Sequence, residues 1–140
     1  MDEGGVTWIV AADAVEARVF SERVRGGPLR ALPECSVSAN AAERRHHGLD
    51  NRAEHESHLR FFRRIATRLA LAASRGEFER LALMGPPRAL GLLRLALPSE
   101  VARRVDVTDP HDRALDDAET LRRCLSQARA RTWSPNAAGG

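Results

Sequence analysis

The sequence predicts an α/β fold in three layers: a mixed five-stranded sheet of order 3-2-1-4-5 with helices on both faces. Three observations predict it. Two apolar or alternating stretches, 7–12 and 17–21, sit close together near the start and read as an antiparallel hairpin. Residues 54–75 then carry apolar side chains at helical spacing. After them, short apolar strands alternate with helical patterns, as in crossover units. With 140 residues, 43% hydrophobic and 29% charged, the chain is long enough for one ordinary domain with its own core.

The elements follow in order. Thr7-Trp8-Ile9-Val10-Ala11-Ala12 is β-branched and apolar, a buried strand. Asp13 to Glu16 interrupts it, and Ala17-Arg18-Val19-Phe20-Ser21 alternates as the returning strand. Gly26-Gly27-Pro28 marks a turn, and 29–37 is a third, weaker strand. Residues 38–53 are polar and aperiodic, which predicts a mobile loop. Helix 54–75 is set by Phe62, Ile65, Leu69 and Ala72, with Leu59, Ala66, Ala70 and Ala73 widening the stripe and Gly76 ending it. Strand 78–84 stops at Gly85. Two prolines and Arg88 open a short apolar helix, 87–97, proline being suited to a first turn. Gly91 inside that helix costs about 1 kcal/mol against alanine, which predicts close helix–sheet packing as its reason. A short helix closes near Ala102, and 104–108 is the last strand. Asp109 as cap and Pro110 at the first position predict a final helix to about Arg131, with Leu115, Ala118, Leu121, Leu125 and Ala128 on its apolar face. The expected organisation is one domain over 1–131 and a flexible tail over 132–140. Three antiparallel strands followed by two helix–strand crossovers is the ribonuclease H-like arrangement.

Composition excludes several classes. The formal charge is +3, and all 22 basic residues are arginine, so the sequence pI of about 10.0 overstates basicity. A charge this small does not by itself indicate nucleic-acid binding. Neither an N-terminal apolar segment of signal-peptide type nor an apolar run of membrane-spanning length is present. The two cysteines, Cys35 and Cys124, form no CxxC pair and are expected as reduced thiols of a cytoplasmic protein, a disulfide being the alternative. No P-loop, dinucleotide fingerprint or Gly-x-Ser-x-Gly elbow occurs, so no cofactor is expected.

Four groups of residues could carry function. Asp13 ends the first strand, where a two-metal nuclease places a carboxylate, and Glu54 or Glu56 could add a second. The fourth strand, however, ends Leu83-Met84-Gly85 with no acid; Asp13 is expected instead to cap the hairpin or to pair with Arg18 or Arg88. Arg88, at a helix start beyond a strand end, is a candidate for binding phosphate or carboxylate together with Asp13, or else for a structural pair. His55 and His58, three apart, could share a metal with His46 or His47, but no third ligand has a fixed spacing, and no metal site is expected. Finally Arg44, Arg45, Arg52, Arg60, Arg63, Arg64 and Arg68 make the loop and the long helix basic, a candidate RNA-backbone contact or a solvated face; Phe61 is the only nearby ring for stacking a base.

Two motifs carry a family resemblance. Trp8-Ile9-Val10-Ala11-Ala12-Asp13 with Ala17-Arg18-Val19-Phe20 resembles the opening of the bacterial host-attachment protein family. Residues 83–94, Leu-Met-Gly-Pro-Pro-Arg-Ala-Leu-Gly-Leu-Leu-Arg, resemble its A-P-P-R-x-L-G-x-L-R signature, with Gly85 where alanine is usual, and Val107-Thr108-Asp109-Pro110 is similar to its strand-to-helix junction. That family is similar in turn to the middle domain of archaeal and eukaryotic class-one peptide-chain release factors. The resemblance covers most of residues 6–130 and implies a ribosome- or tRNA-related ancestry. Release factors present a Gly-Gly-Gln loop between the third strand and the long helix; here residues 38–53 contain Gly48 and no glutamine, the only one being Gln127.

The resulting expectation is a non-catalytic, release-factor-like domain of bacterial origin that binds RNA, tRNA or the ribosome through its basic loop and helix. The alternatives are a protein–protein contact, with a partner or as a homo-oligomer, and an enzyme acting on a phosphorylated small molecule at Asp13 and Arg88. No membrane partner is expected.

Overall fold

The computed structural model describes residues 5–41 and 51–132. Strands β1 (Thr7–Ala12), β2 (Glu16–Glu22), β3 (Leu29–Ala31) and β4 (Val37–Ser38) precede helix α1 (Asn51–Ser74). Then come β5 (Arg80–Met84), α2 (Pro87–Ala96), α3 (Ser99–Ala102), β6 (Val105–Asp109) and α4 (Ala118–Thr132). The sheet runs β3-β2-β1-β5-β6, with β4 pairing the beginning of β2. β1 is antiparallel to β2 and parallel to β5, Val10 lying opposite Val19 on one side and Leu83 on the other.

Strand alternation divides the core in two. Trp8, Val10, Ala12, Leu81 and Leu83 face the cluster built on α1 and α2, with Phe61, Phe62, Ile65, Leu69, Leu90 and Leu93. Ile9, Ala11, Ala82 and Met84 face α4 through Leu121, Leu125 and Ala128. The central strands β1 and β5 are buried on both sides, which is why they read as continuous apolar runs.

The long helix ends in a Schellman motif: Glu77 N–H donates to the Ala72 carbonyl and Gly76 N–H to that of Ala73, each at 3.0 Å. Gly76 lies at φ +72°, a conformation that any side chain would strain.

The structure departs from the sequence reading at three places. The sheet has six strands, because the expected third strand breaks at Pro33, which fixes φ and lacks an N–H; a 3₁₀ turn at Pro33–Cys35 separates β3 from β4. Of the expected loop 38–53, Ser38 pairs in β4 and α1 begins at Asn51, while residues 42–50 lie outside the described residues, as do 133–140 of the expected tail. The last helix begins at Ala118, not after Asp109. Asp109 is the final residue of β6 and fully buried. Asp117 supplies the cap, its Oδ1 accepting the Thr120 N–H at 2.8 Å, and Leu115 lies outside the helix, 88% exposed.

The two glycines of the 81–98 segment have different roles. A Cβ on Gly85 would stand 2.6 Å from the Ala12 carbonyl oxygen, so glycine lets β5 leave the sheet close against the end of β1. A Cβ on Gly91 would meet nothing within 4 Å and would point into solvent, which removes helix–sheet packing as its reason. Gly91→Ala is therefore expected to stabilise the fold by about 1 kcal/mol. Gly85→Ala is expected to destabilise it by about 1–3 kcal/mol through a backbone shift. Urea midpoints of the two variants, moving in opposite directions, check both.

Candidate functional site

Helix α1 gathers the basic residues. Its apolar stripe packs on the sheet, so the opposite side is turned outward, and Arg52, Arg60, Arg63 and Arg68 are exposed there, with Arg64 half-buried and Arg75 exposed just past the helix end. Arg60 reaches the Ser57 hydroxyl at 3.2 Å. Arg64 donates two hydrogen bonds to the Ser38 carbonyl, at 2.7 and 3.3 Å, and Arg68 one to the Glu34 carbonyl at 2.8 Å. These last two tie α1 to the β3–β4 segment, so the structure gives part of the expected RNA-contact set a structural task. A carbonyl partner does not neutralise a guanidinium, however, and Arg60, Arg63, Arg68 and Arg75 form no ion pair with any described residue, although Glu34 and Glu77 line the same hollow as Arg68 and Arg75. Ser36, Ser38, Arg64, Thr67 and Arg68 line a shallow groove of about 400 Å³ beside this face. Arg44 and Arg45 lie outside the described residues. Phe61, the expected stacking ring, is completely buried in the core and cannot meet a base.

The strand-end candidates are not brought together as a pair. Asp13 Oδ1 accepts the N–H groups of Val15 and Glu16, at 2.9 and 2.8 Å, and caps the hairpin. Arg18 instead crosses to the Ala114 and Asp116 carbonyls, at 3.1 and 2.6 Å, with its guanidinium 4.8 Å from the centre of the Phe20 ring. Arg88 is exposed and makes no hydrogen bond or ion pair with a described residue. The Asp13–Arg88 combination thus has one member engaged in local structure and the other open to solvent.

Two ionic clusters escaped the sequence reading. Asp109, read as a helix cap, is met by His111 Nδ1, by Arg113 Nε at 3.2 Å and by Arg131 at 3.8 Å. Glu22, buried at the end of β2, takes a bidentate fork from Arg129 at 2.6 and 2.7 Å, plus the Gly26 N–H at 2.9 Å. Burial pushes the Glu22 carboxyl up, but the Arg129 fork and the Gly26 amide outweigh it and hold the group below the usual carboxylate range. The only local signals were the Asp-Pro-His-Asp-Arg spacing of 109–113 and an acid closing the alternating strand β2; Arg129 and Arg131 come from the far end of α4.

Cys35 and Cys124 are both free thiols, packed against opposite faces of the sheet. Burial, with Glu34 and Glu77 nearby, pushes the Cys35 thiol up, away from the reactive thiolate. Among the described residues no three His, Cys, Asp or Glu side chains group as metal ligands. His46 and His47 lie outside that set. No described helix is long and apolar enough to cross a membrane.

A family model described as "Protein required for attachment to host cells" matches residues 36–125. No curated protein matches the chain. Among solved structures, an archaeal translation termination factor superposes with a TM-score of 0.56 at 16% identity, over 89% of this chain and 36% of that one. A second structure, titled only as an archaeal protein, gives 0.52 at 14% identity, over 90% and 38%. This chain thus spans little more than a third of either, and at such identities the likeness is one of fold.

Proposed function

The chain belongs to the family described as proteins required for attachment to host cells, and from that premise we propose that it is a non-catalytic binding domain that engages RNA through the exposed arginine face of α1. The observation carrying this reading is that Arg60, Arg63 and Arg68 stand on the outer side of one helix, none of them in an ion pair with a described residue. Phosphate oxygens are natural acceptors for such guanidinium groups. The fold shared with part of a translation termination factor supports RNA as the polyanion. With Phe61 and Phe62 sealed in the core, no phenyl ring is offered by this helix, so its contact is chiefly to the backbone, with exposed His55, among the described residues, the one ring near enough to meet a base.

An RNA gel-shift series against salt tests it. Arg60→Ala with Arg63→Ala removes two exposed groups that do not join α1 to the β3–β4 segment. The slope of log affinity against log salt is expected to fall by about 0.7 for each single-strand phosphate that the double variant no longer neutralises. Absence of binding at low salt, or a slope unchanged in the double variant, rejects the reading.

The family description itself favours a second reading, contact with a protein partner. Native purification distinguishes the two: ribosomal particles that come away on ribonuclease treatment favour the first, a ribonuclease-resistant protein complex the second.

A further inference from the structure

On the sheet face opposite α1, the β2–β3 turn and α4 enclose a hollow of about 310 Å³. Arg122, Ser126 and Arg129 lie at positions i, i+4 and i+7 of α4 and share one side of the helix, with Arg123 adjacent. The turn brings Arg25 to the same place and is held there by Gly26, whose carbonyl accepts from Arg122 Nη1 at 3.2 Å.

The internal partners account for most, but not all, of this charge. Arg129 has both terminal nitrogens on Glu22. Arg122 makes its fork with Glu119, at 2.7 and 3.1 Å. Arg25 lies within electrostatic reach of Glu22, and Arg123 of Asp117 and Glu119, but neither closes an ion pair with a described residue, and the one hydrogen bond of Arg123 is a long one, 3.5 Å to the Thr120 hydroxyl. Four guanidinium groups face three carboxylates, Glu22, Glu119 and Asp117, which leaves one positive charge in excess around one concavity. From this we infer that the hollow is a binding site for a phosphate dianion, free or carried as the monoester of a small molecule. Arg25 and Arg123 are the gripping groups, Ser126 a further donor, and the Glu22–Arg129 pair the rigid floor. The volume lies at the lower end of the roughly 300–1,000 Å³ of small-molecule sites, which leaves room for an organic group beside the phosphate. The site is independent of the α1 arginines.

The test is calorimetric titration with inorganic phosphate and with phenyl phosphate, at an ionic strength held constant with chloride. Saturable millimolar or tighter binding is expected, weakened about tenfold by Arg25→Ala and by Arg123→Ala, since each charge-assisted hydrogen bond contributes at least that factor. Both residues are exposed and outside the Glu22–Arg129 pair, so both variants are expected to fold, and urea midpoints verify it. The Arg60→Ala, Arg63→Ala protein is expected to bind as the unmodified chain does. Phenyl phosphate binding more tightly assigns the site to monoesters, and equal binding assigns it to free phosphate. No saturable heat with either probe, or binding unchanged in folded Arg25→Ala and Arg123→Ala proteins, overturns the inference.

Discussion

Arg129→Ala is expected to lower stability by about 3–5 kcal/mol at neutral pH, the range for stranding a buried charge. Glu22 is 2% exposed, and Arg129 is its only side-chain hydrogen-bond partner among the described residues, so truncation leaves a buried carboxylate with one amide hydrogen bond. The pair itself adds far less than its rupture removes, because both ions gave up water to form it. Arg129 Nε, moreover, is buried without a partner. Glu22→Gln combined with Arg129→Met is therefore expected to recover most of the stability. Acid should act in the same direction as the single substitution. The folded Glu22 carboxyl sits below its ordinary range, so its contribution is complete above the unfolded glutamate value of about 4.3 and is withdrawn as pH falls through the folded value. Urea midpoints from pH 7 to pH 3 check both points. The unmodified chain should lose stability across the acid limb, and the double variant should lose less. An Arg129→Ala cost under about 1 kcal/mol would mean that water reaches Glu22 and that the pair is a surface feature.

That pair also marks where sequence reasoning runs out. Residues 7–12 and 80–84 were legible as neighbouring buried strands because both of their faces are covered, which leaves an apolar run no solvent would tolerate. The long helix was legible from Phe62, Ile65 and Leu69, and its stop from Gly76. The start of the last helix was not. Asp109-Pro110 has the local chemistry of a cap and first position, but the Asp109 carboxylate is taken by His111, Arg113 and Arg131, the last from the far end of α4. Local pattern cannot weigh a partner that only the fold supplies. The same holds for function. Arg60 and Arg63 could be read as one exposed helical face, whereas Arg25 meets Arg122 and Arg123 only after β2, β3 and α4 have packed. Asp13 was legible because its partners, Val15 and Glu16, are its neighbours in sequence.

Phe78→Ala is expected to cost a comparable 3–5 kcal/mol, roughly the value for emptying a fully buried phenylalanine site. Phe78 precedes β5 and is completely buried, with its ring centre 5.0 Å from that of Trp8 on β1. Its carbonyl accepts from Arg104 Nη1 at 2.8 Å, and the same guanidinium lies 5.7 Å from the centre of its ring. The next residue completes the junction: Glu79 N–H donates to the Val6 carbonyl at 2.9 Å, and Glu79 Oε1 accepts the Val6 N–H at 2.7 Å. One ring thus fills the space where the start of β1, the start of β5 and the approach to β6 converge. Truncation leaves a cavity against Trp8 and removes the surface on which Arg104 rests, while the backbone bonds of 78 and 79 remain. The cost is therefore one of packing, and Phe78→Leu, which keeps most of the volume, should cost less than half as much. Against a total stability of about 5–15 kcal/mol for a domain of this kind, the alanine variant is expected to be partly unfolded at physiological temperature and the leucine variant folded. Urea unfolding of both, with near-ultraviolet circular dichroism reporting the Trp8 environment, decides the matter. Equal midpoints for the two variants would show that the Trp8–Phe78 contact does not anchor the parallel half of the sheet.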